Sequence, residues 1–451
     1  MKKTPYLTAY KQSITDPEAF WLDQSEKIAW YQKPQQALTQ DHEGFYRWFK
    51  GGKLNTCYLA LDAHIEAGRG QETALIYDSP VTQTVAKFTF VELRDRVARL
   101  AGGLKKLGIE KGDTVVIYMP MIPQAAIAML ACARLGAIHS VVFGGFAPHE
   151  LAIRIDDAKP KAIITATSGI EIDRIIPYKP MVDEAMQQAT HKPEHVIVFN
   201  RRLGAIKPDA DYDIDYNTLM KMADPVGCTE VDATDPLYIL YTSGTTGKPK
   251  GIIRDNGGHA VALQYSMKYV YGMQPGEVFW AASDVGWVVG HSYIVYAPLI
   301  YGCTTILFEG KPIRTPDAST FWRVIAEHNV KVMFTAPTAI RAIKKEDPEG
   351  ALLNKYDLSG LRYQFLAGER CDAATLKWTE DMLGIPVIDH WWQTESGWPM
   401  VANMMGYDAH AVKPGSATKP VCGYNLEVLR HDGTAAQTNE EGFVAIKLPL
   451  P

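Results

Sequence analysis

The chain has 451 residues, which at about 150 residues per packing unit suggests roughly three of them. Hydrophobic residues make up 47% and charged residues 22%, a balance that excludes disordered and collagen-like chains. Lys and Arg total 46 against 51 Asp and Glu, a formal charge of −5, so there is no electrostatic basis for binding nucleic acid or an anionic membrane.

No apolar run reaches the roughly 20 residues that span a bilayer. The best, Ala125 to Ala133, is short and closed by Arg134. Met1 to Phe20 lacks the apolar core of a secretory signal. Six cysteines lie scattered from Cys57 to Cys422 without CxxC spacing. That argues against a zinc site or a disulfide framework and fits a reducing cytosol. The expected location is cytoplasmic.

Residues 1–70 read as an arm wrapped on a larger body, anchored by Trp21, Trp30, Phe45, Tyr46, Trp48 and Phe49. From 71 the pattern is α/β. Thr89 and Glu92 form a capping box, each side chain able to satisfy the other's free amide. Leu93, Val97, Leu100, Leu104 and Leu107 then fall on one helix face, and Gly108 can end it. Thr114 to Tyr118 is a buried strand. Pro123 opens a helix through Leu135, closed by Gly136. Ile138 to Phe143 is the next strand, and the unit implies a right-handed crossover and a parallel pair. Glu150 to Ala158 reads as a helix and Ala162 to Thr165 as a strand. A second unit starts with the strand Leu237 to Tyr241 and a helix after Gly257, and continues through the strands Val332 to Phe334 and Tyr363 to Leu366. Asn425 to Leu429, Asp432-Gly433 and Gly442 to Leu448 read as a hairpin opening an antiparallel subdomain. The expected domains are therefore 1–70, 71–235, 236–414 and 415–451. Ending at Pro451, straight after a strand, is unusual for a natural terminus.

The chemistry concentrates in Tyr241-Thr242-Ser243-Gly244-Thr245-Thr246-Gly247-Lys248-Pro249-Lys250-Gly251, which follows an apolar strand. Glycines let successive amides turn to one side, while hydroxyls and lysines add further donors. Together they suit a polyphosphate. It is not a Walker A loop: only Thr245 and Thr246 separate the glycines, and Pro249 stands where that motif needs a magnesium-binding hydroxyl.

This segment resembles the phosphate loop of the adenylate-forming enzymes, which include acyl-CoA synthetases, luciferases and peptide-synthetase adenylation domains. Ser283 to Tyr293 resembles the acyl-site run of the short-chain acyl-CoA synthetases. Ala367-Gly368-Glu369-Arg370 stands where that family has Gly-Glu-Pro, and Asp389-His390-Trp391-Trp392-Gln393-Thr394-Glu395 is similar to its adenylate-binding run. Trp48 to Asn55 resembles the amino-terminal extension of the acetyl- and propionyl-CoA synthetase group. Val289, Ala336 to Arg341 and Glu395 to Pro399 look closer to propionate–CoA ligases.

The resemblance implies an α/β fold of two doubly wound α/β subdomains plus a small β-barrel-like piece, with the site at the carboxyl ends of the strands. It implies ATP, Mg²⁺ and CoA as substrates and cofactor. Thr242, Ser243, Gly244, Thr245, Thr246, Gly247 and Lys248 would hold the β- and γ-phosphates. Thr394 would hydrogen-bond the α-phosphate, and Glu395 would hold the metal. Gly368, Glu369, Arg370, Asp389, His390, Trp391, Trp392, Gln393 and Thr394 would surround the adenylate. Val288, Val289, Ala367 and Trp392 would bound the acyl pocket, Trp392 as the plug that restricts chain length. Gly144, Gly145 and Arg174 would contact CoA, although Arg174 stands where acetate enzymes carry two arginines. His291 and His259 are expected to pack rather than react.

The expected reaction is ATP-dependent formation of an acyl-AMP and then a short-chain acyl-CoA. Two other readings remain: a nucleotide-binding module without catalysis, and an enzyme that loads a carrier protein. In relatives the chain continues into a ribose-binding Gly-Asp motif, a hinge and a lid bearing a lysine. These are missing here, so the resemblance implies weak nucleotide binding and poor turnover for this chain alone.

Overall fold

The computed structural model describes residues 4–209, 213–242, 249–408 and 410–451. The expected phosphate-loop residues Ser243, Gly244, Thr245, Thr246, Gly247 and Lys248 lie outside the described residues.

Two seven-stranded sheets carry the molecule. The first runs from edge to edge through Ile214–Asp215, His195–Phe199, Ala162–Ala166, Thr114–Tyr118, Ile138–Val141, Pro236–Thr242 and Lys250–Asp255. The second runs through Val387–Asp389, Tyr363–Leu366, Val330–Thr335, Val278–Ala281, Thr304–Phe308, Thr73–Ser79 and Thr84–Thr89. In each sheet the strands pair in parallel except the last, which returns antiparallel. The two orders are thus the same pattern drawn twice, each ending in a hairpin edge.

That pattern corrects the boundary expected at 235/236. The hairpin Thr73–Thr89 belongs to the second sheet, although it precedes the first in the chain. The hairpin Pro236–Asp255 belongs to the first sheet. Each half supplies an edge to the other half's sheet, so no single cut separates them. After 415 the described residues form one antiparallel hairpin, Asn425–Leu429 with Phe443–Lys447. Its connection is longer than a two-residue turn; Asp432 and Gly433 sit in a smaller turn closed by the Leu429–Ala435 bridge.

Local chemistry explains the main elements. The Thr89 hydroxyl accepts from Glu92 N at 3.2 Å, and the Glu92 carboxylate accepts from Thr89 N at 2.9 Å, completing the capping box of the helix Phe90–Lys106. Leu93, Val97, Leu100 and Leu104 are buried on its inner face. The helix Pro123–Leu135 is apolar nearly all round and buried to match, ending at left-handed Gly136. No helix among the described residues is long and apolar enough to cross a membrane.

The arm is tied down rather than loosely draped. Trp21 and Phe49 are buried, and Trp30, Tyr46 and Trp48 half-buried, whereas Phe45 is 59% exposed and anchors nothing. Trp21 meets Tyr265 and Trp398 edge-on at 5.4 and 5.9 Å. Lys53–Leu54 pairs with Val231–Asp232. Fully buried Asn55 donates to Ala133 O at 2.9 Å, Arg134 O at 3.2 Å and Thr229 O at 2.8 Å, and accepts from Tyr58 N at 3.0 Å. Its amide therefore satisfies three carbonyls from two segments in a dry place, where an unpaired polar group is costly. Asn55→Ala is expected to cost about 3 kcal/mol in urea unfolding monitored by tryptophan fluorescence, against a near-neutral Asn217→Ala at an exposed position of the helix Tyr216–Met222.

Candidate active site

Residues at the carboxyl ends of both sheets converge on a cavity of about 600 Å³. Thr242 comes from the end of its strand in the first sheet. Ala282, Ser283, Thr335, Ala336, Ala367 and Gly368 follow strands of the second. Trp287, Val288 and Val289 close one side, and Trp392, Gln393, Thr394 and Glu395 another. All four expected acyl-pocket residues, Val288, Val289, Ala367 and Trp392, therefore stand on one wall system with Thr242, Thr394 and Glu395.

Trp392 is 9% exposed. Its ring stands perpendicular to Tyr293 at 5.5 Å and tilted to Phe334 at 6.2 Å. Behind it lies His390, whose Nδ1 is 2.8 Å from Leu366 O and whose Nε2 is 3.0 Å from the Tyr271 hydroxyl. Burial pushes this imidazole down to about 4, so it is neutral at physiological pH.

Part of the expected adenylate-binding set lies away from this cavity. His390 is buried with both ring nitrogens engaged, so it supports Trp392 and offers nothing to a ligand. Glu369, Arg370, Asp389 and Trp391 do not line the cavity. Glu369 is held by Arg341 at 2.6 Å and by the Thr338 hydroxyl. Trp391 exchanges backbone hydrogen bonds with Val401. The Asp389 carboxyl is pushed up to about 6 by burial, opposed by the Cys371 amide and the Arg370 charge.

The turn bearing Thr394 and Glu395 is fastened by a residue the sequence reading did not single out. Arg254, at the end of the strand Lys250–Asp255, donates through one terminal nitrogen to Thr394 O and Glu395 O, each at 2.9 Å. Gly397 has φ 77°, and a Cβ there would lie 2.8 Å from the Arg254 guanidinium carbon. Ser396 Oγ lies 2.9 Å from Gln393 O and 3.0 Å from Trp398 O, and Ser292 Oγ donates to Gly397 O at 2.6 Å. The Glu395 side chain is exposed and, among the described residues, makes no ion pair. A free carboxylate beside a threonine hydroxyl on a cavity rim is a donor set that suits a hard, oxygen-seeking cation.

His291 is fully buried, with Nδ1 3.0 Å from Trp287 O, and burial pushes it down to about 4. It stacks on His139 at 5.4 Å and meets Tyr238 at 4.6 Å. His259 packs edge-on to Tyr238 at 5.5 Å. Neither imidazole lines the cavity.

A second cavity of about 650 Å³ adjoins the first and shares Ala282, Ser283 and Trp287 with it. Gly144, Gly145 and Arg174 line it, so these three expected residues are together. Gly144 has no room for a side chain: a Cβ would lie 1.8 Å from the Tyr178 hydroxyl. Arg174 is exposed and pairs at 3.1 Å with Glu171, which also meets Lys311 at 3.2 Å. Asp284 stands in this wall beside Ser283, accepting from Gly286 N at 2.7 Å. Burial pushes its carboxyl up to about 6 against that amide and the Lys311 charge.

Sequence comparison agrees with this geometry. Residues 62–450 match the AMP-binding enzyme family, and residues 6–60 match the acetyl-coenzyme A synthetase N-terminus. An uncharacterized protein of Pseudomonas aeruginosa is 56% identical over 99% of this chain and 71% of its own. The human acyl-CoA synthetase short-chain family member 3, mitochondrial, is 52% identical over 99% of this chain and 65% of its own. The propionate–CoA ligase of Escherichia coli is 45% identical over 98% of this chain and 70% of its own. The chain thus spans about two thirds of the length of these relatives, and it belongs to the AMP-binding enzyme family.

Arg254→Ala is expected to cost about 2 kcal/mol and to speed amide hydrogen exchange in 393–398 at least tenfold, read by mass spectrometry. Arg254→Lys should recover little of it, because an ammonium cannot reproduce the flat guanidinium geometry. The Asp284 pKa is raised from 3.8 to about 6, so the folded chain keeps a proton that the unfolded chain has released. That contribution is fully present below pH 4 and lost as pH rises through 6. Asp284→Asn, which mimics the protonated acid, should therefore raise Tm more at pH 7 than at pH 4.5.

Proposed function

We propose that the chain is an ATP-dependent short-chain acyl-CoA synthetase that prefers propionate and accepts acetate. The observation that carries this reading is Trp392, sealed between Tyr293 and Phe334 and forming the floor of a cavity whose rim holds Thr394 and Glu395. A buried indole occupies the volume that a longer acyl chain would need. The names of the human and Escherichia coli relatives support the same substrate class.

In the first half-reaction a carboxylate oxygen attacks the α-phosphorus of ATP. The bond to the bridging oxygen breaks, and pyrophosphate leaves with the electron pair. No base is needed for an already ionised carboxylate, so the protein's task is positioning and charge neutralisation. Thr242 with Ser243 to Lys248 would hold the β- and γ-phosphates. Thr394 would donate to the α-phosphate, while Gly368 and Gln393 flank the nucleotide on the same wall. Glu395 would hold Mg²⁺, which supplies charge neutralisation on the phosphates when bound. Val288, Val289 and Ala367 would enclose the alkyl chain.

In the second half-reaction the CoA thiol sulfur attacks the acyl carbon, its proton passes to solvent, and AMP departs. The second cavity, joined to the first at Ala282, Ser283 and Trp287, supports a thiol arriving from that side. Gly144, Gly145 and Arg174 would receive the carrier. The Trp48 to Asn55 extension, within the stretch that matches the acetyl-coenzyme A synthetase N-terminus, favours free CoA over a carrier protein.

The preference among short acids should be modest, because one methylene in an apolar pocket is worth about 1–3 kcal/mol. Pyrophosphate exchange with acetate, propionate and butyrate tests the reading: exchange should depend on carboxylate and peak at propionate, and exchange independent of carboxylate overturns it. Trp392→Ala should lower kcat/KM for propionate and raise it for hexanoate at least tenfold.

A further inference from the structure

Away from both cavities, Cys57, Cys228 and the Asp62 carboxylate gather so that their sulfur and oxygen atoms all lie within 4.8 Å of one another. Cys57 is fully buried at the foot of the arm; Cys228 is half-buried, in the segment that leads into the strand Val231–Asp232. Neighbouring residues hold both segments to the end of one helix. Asn55 bonds Ala133 O, Arg134 O and Thr229 O, and Thr229 N donates to Arg134 O at 2.8 Å. Two thiols far apart in sequence, one in the arm and one before the strand Val231–Asp232, are thus brought together by segments fastened to the same helix end.

Arg134 decides what such a cluster can do. It is 4% exposed and forms a forked pair with Asp62 at 2.7 and 3.0 Å. Its Nε donates to Val226 O at 2.7 Å, and one terminal nitrogen is 3.6 Å from Cys57 Sγ. Cys228 Sγ lies 3.7 Å from Asp62 Oδ2. A metal reading fits poorly. The guanidinium already occupies the carboxylate, its charge opposes a second cation, and three ligands are one short of a closed tetrahedral site. The guanidinium and the carboxylate neutralise each other, which leaves the two thiols as the neighbouring groups free to react.

From this geometry we infer that Cys57 and Cys228 form a reversible disulfide when the protein meets hydrogen peroxide. One thiol of the pair is oxidised to a sulfenic acid: an S–O bond forms, the O–O bond breaks, and water leaves. The other sulfur then attacks that sulfur, the S–S bond forms, and a second water leaves. A dithiol returns both to thiols by exchange. The half-exposed Cys228 supplies the entry path. The Cys228 thiol is pushed up first by its hydrogen bond with Cys57 and then by burial, as expected when two sulfurs share one proton. Other cysteines lack these conditions. Cys132, Cys303, Cys371 and Cys422 are all buried, so peroxide has no path to them like that at Cys228.

The inference is independent of the proposed activity, and peptide mapping tests it. The chain is treated with hydrogen peroxide, alkylated without reduction, digested and analysed by mass spectrometry. A peptide pair joined through Cys57 and Cys228 is expected, abolished by dithiothreitol and by Cys228→Ser. Cys132, Cys303, Cys371 and Cys422 should be recovered as thiols after denaturing alkylation. Mapping of the unsubstituted chain keeps the test valid should a variant fold poorly. Over-oxidation of Cys228 without a cross-link, a cross-link through other cysteines, or one equivalent of zinc in the purified protein would each overturn it.

Discussion

Two hydrogen bonds from one guanidinium join the parts of the molecule that must meet. Arg254 belongs to the edge hairpin of the first sheet, and the carbonyls it holds belong to Thr394 and Glu395, which follow the last strand of the second. The hairpin leads from Thr242 to Arg254, so whatever its connecting loop binds is set in register with the Thr394 turn by the same strand. Without this bond the two sheets would still pack on the core they share, but the Thr394–Glu395 turn would lose its tie to the hairpin of the first sheet. The glycine at 397 and the hydroxyl of Ser396 exist to make room for the guanidinium and to shape the turn it grips.

The exchange of edge hairpins serves the same end. The hairpin Thr73–Thr89 completes the second sheet before the first has begun, and Pro236–Asp255 completes the first after its helices are in place. The chain thereby passes between the sheets more than once. A simple linker would leave their relative position free, as it commonly is between domains of one chain. Repeated passage plus the arm, which packs on Tyr265 and Trp398 and pairs with Val231–Asp232, makes one body of the two.

This is also where the sequence was least legible. Strands and helices were readable because their signals are local: the Thr89 and Glu92 box, the period-3.6 leucines and the β-branched runs all appear where expected. Sheet membership is not local, since nothing in residues 73–89 says that their partner is Thr304–Phe308. The pocket residues were legible through motif resemblance, and Val288, Val289, Ala367 and Trp392 do share one wall. His390 lies two residues from Trp392, and alternation turns both to one side, but His390 sits deeper, against Phe334, Phe365 and the Tyr271 hydroxyl, a depth that motif adjacency does not reveal. Arg254 was missed because its partners are backbone carbonyls, which leave no mark in a sequence.

The same histidine shows how firmly Trp392 is held from behind. Trp392 rests on Tyr293 and Phe334, and His390 behind it is fixed at both nitrogens by Leu366 O and the Tyr271 hydroxyl. With Nδ1 donating to the carbonyl, Nε2 must accept from the phenol, which requires the neutral ring. Burial enforces that state by holding the imidazole near 4. A charged ring would need acceptors on both sides, and the phenol would have to reverse its hydrogen bond or be lost. On the proposed function, the volume limit at the front of the wall depends on a proton kept off at the back, through packing and burial and not through a group on the cavity surface.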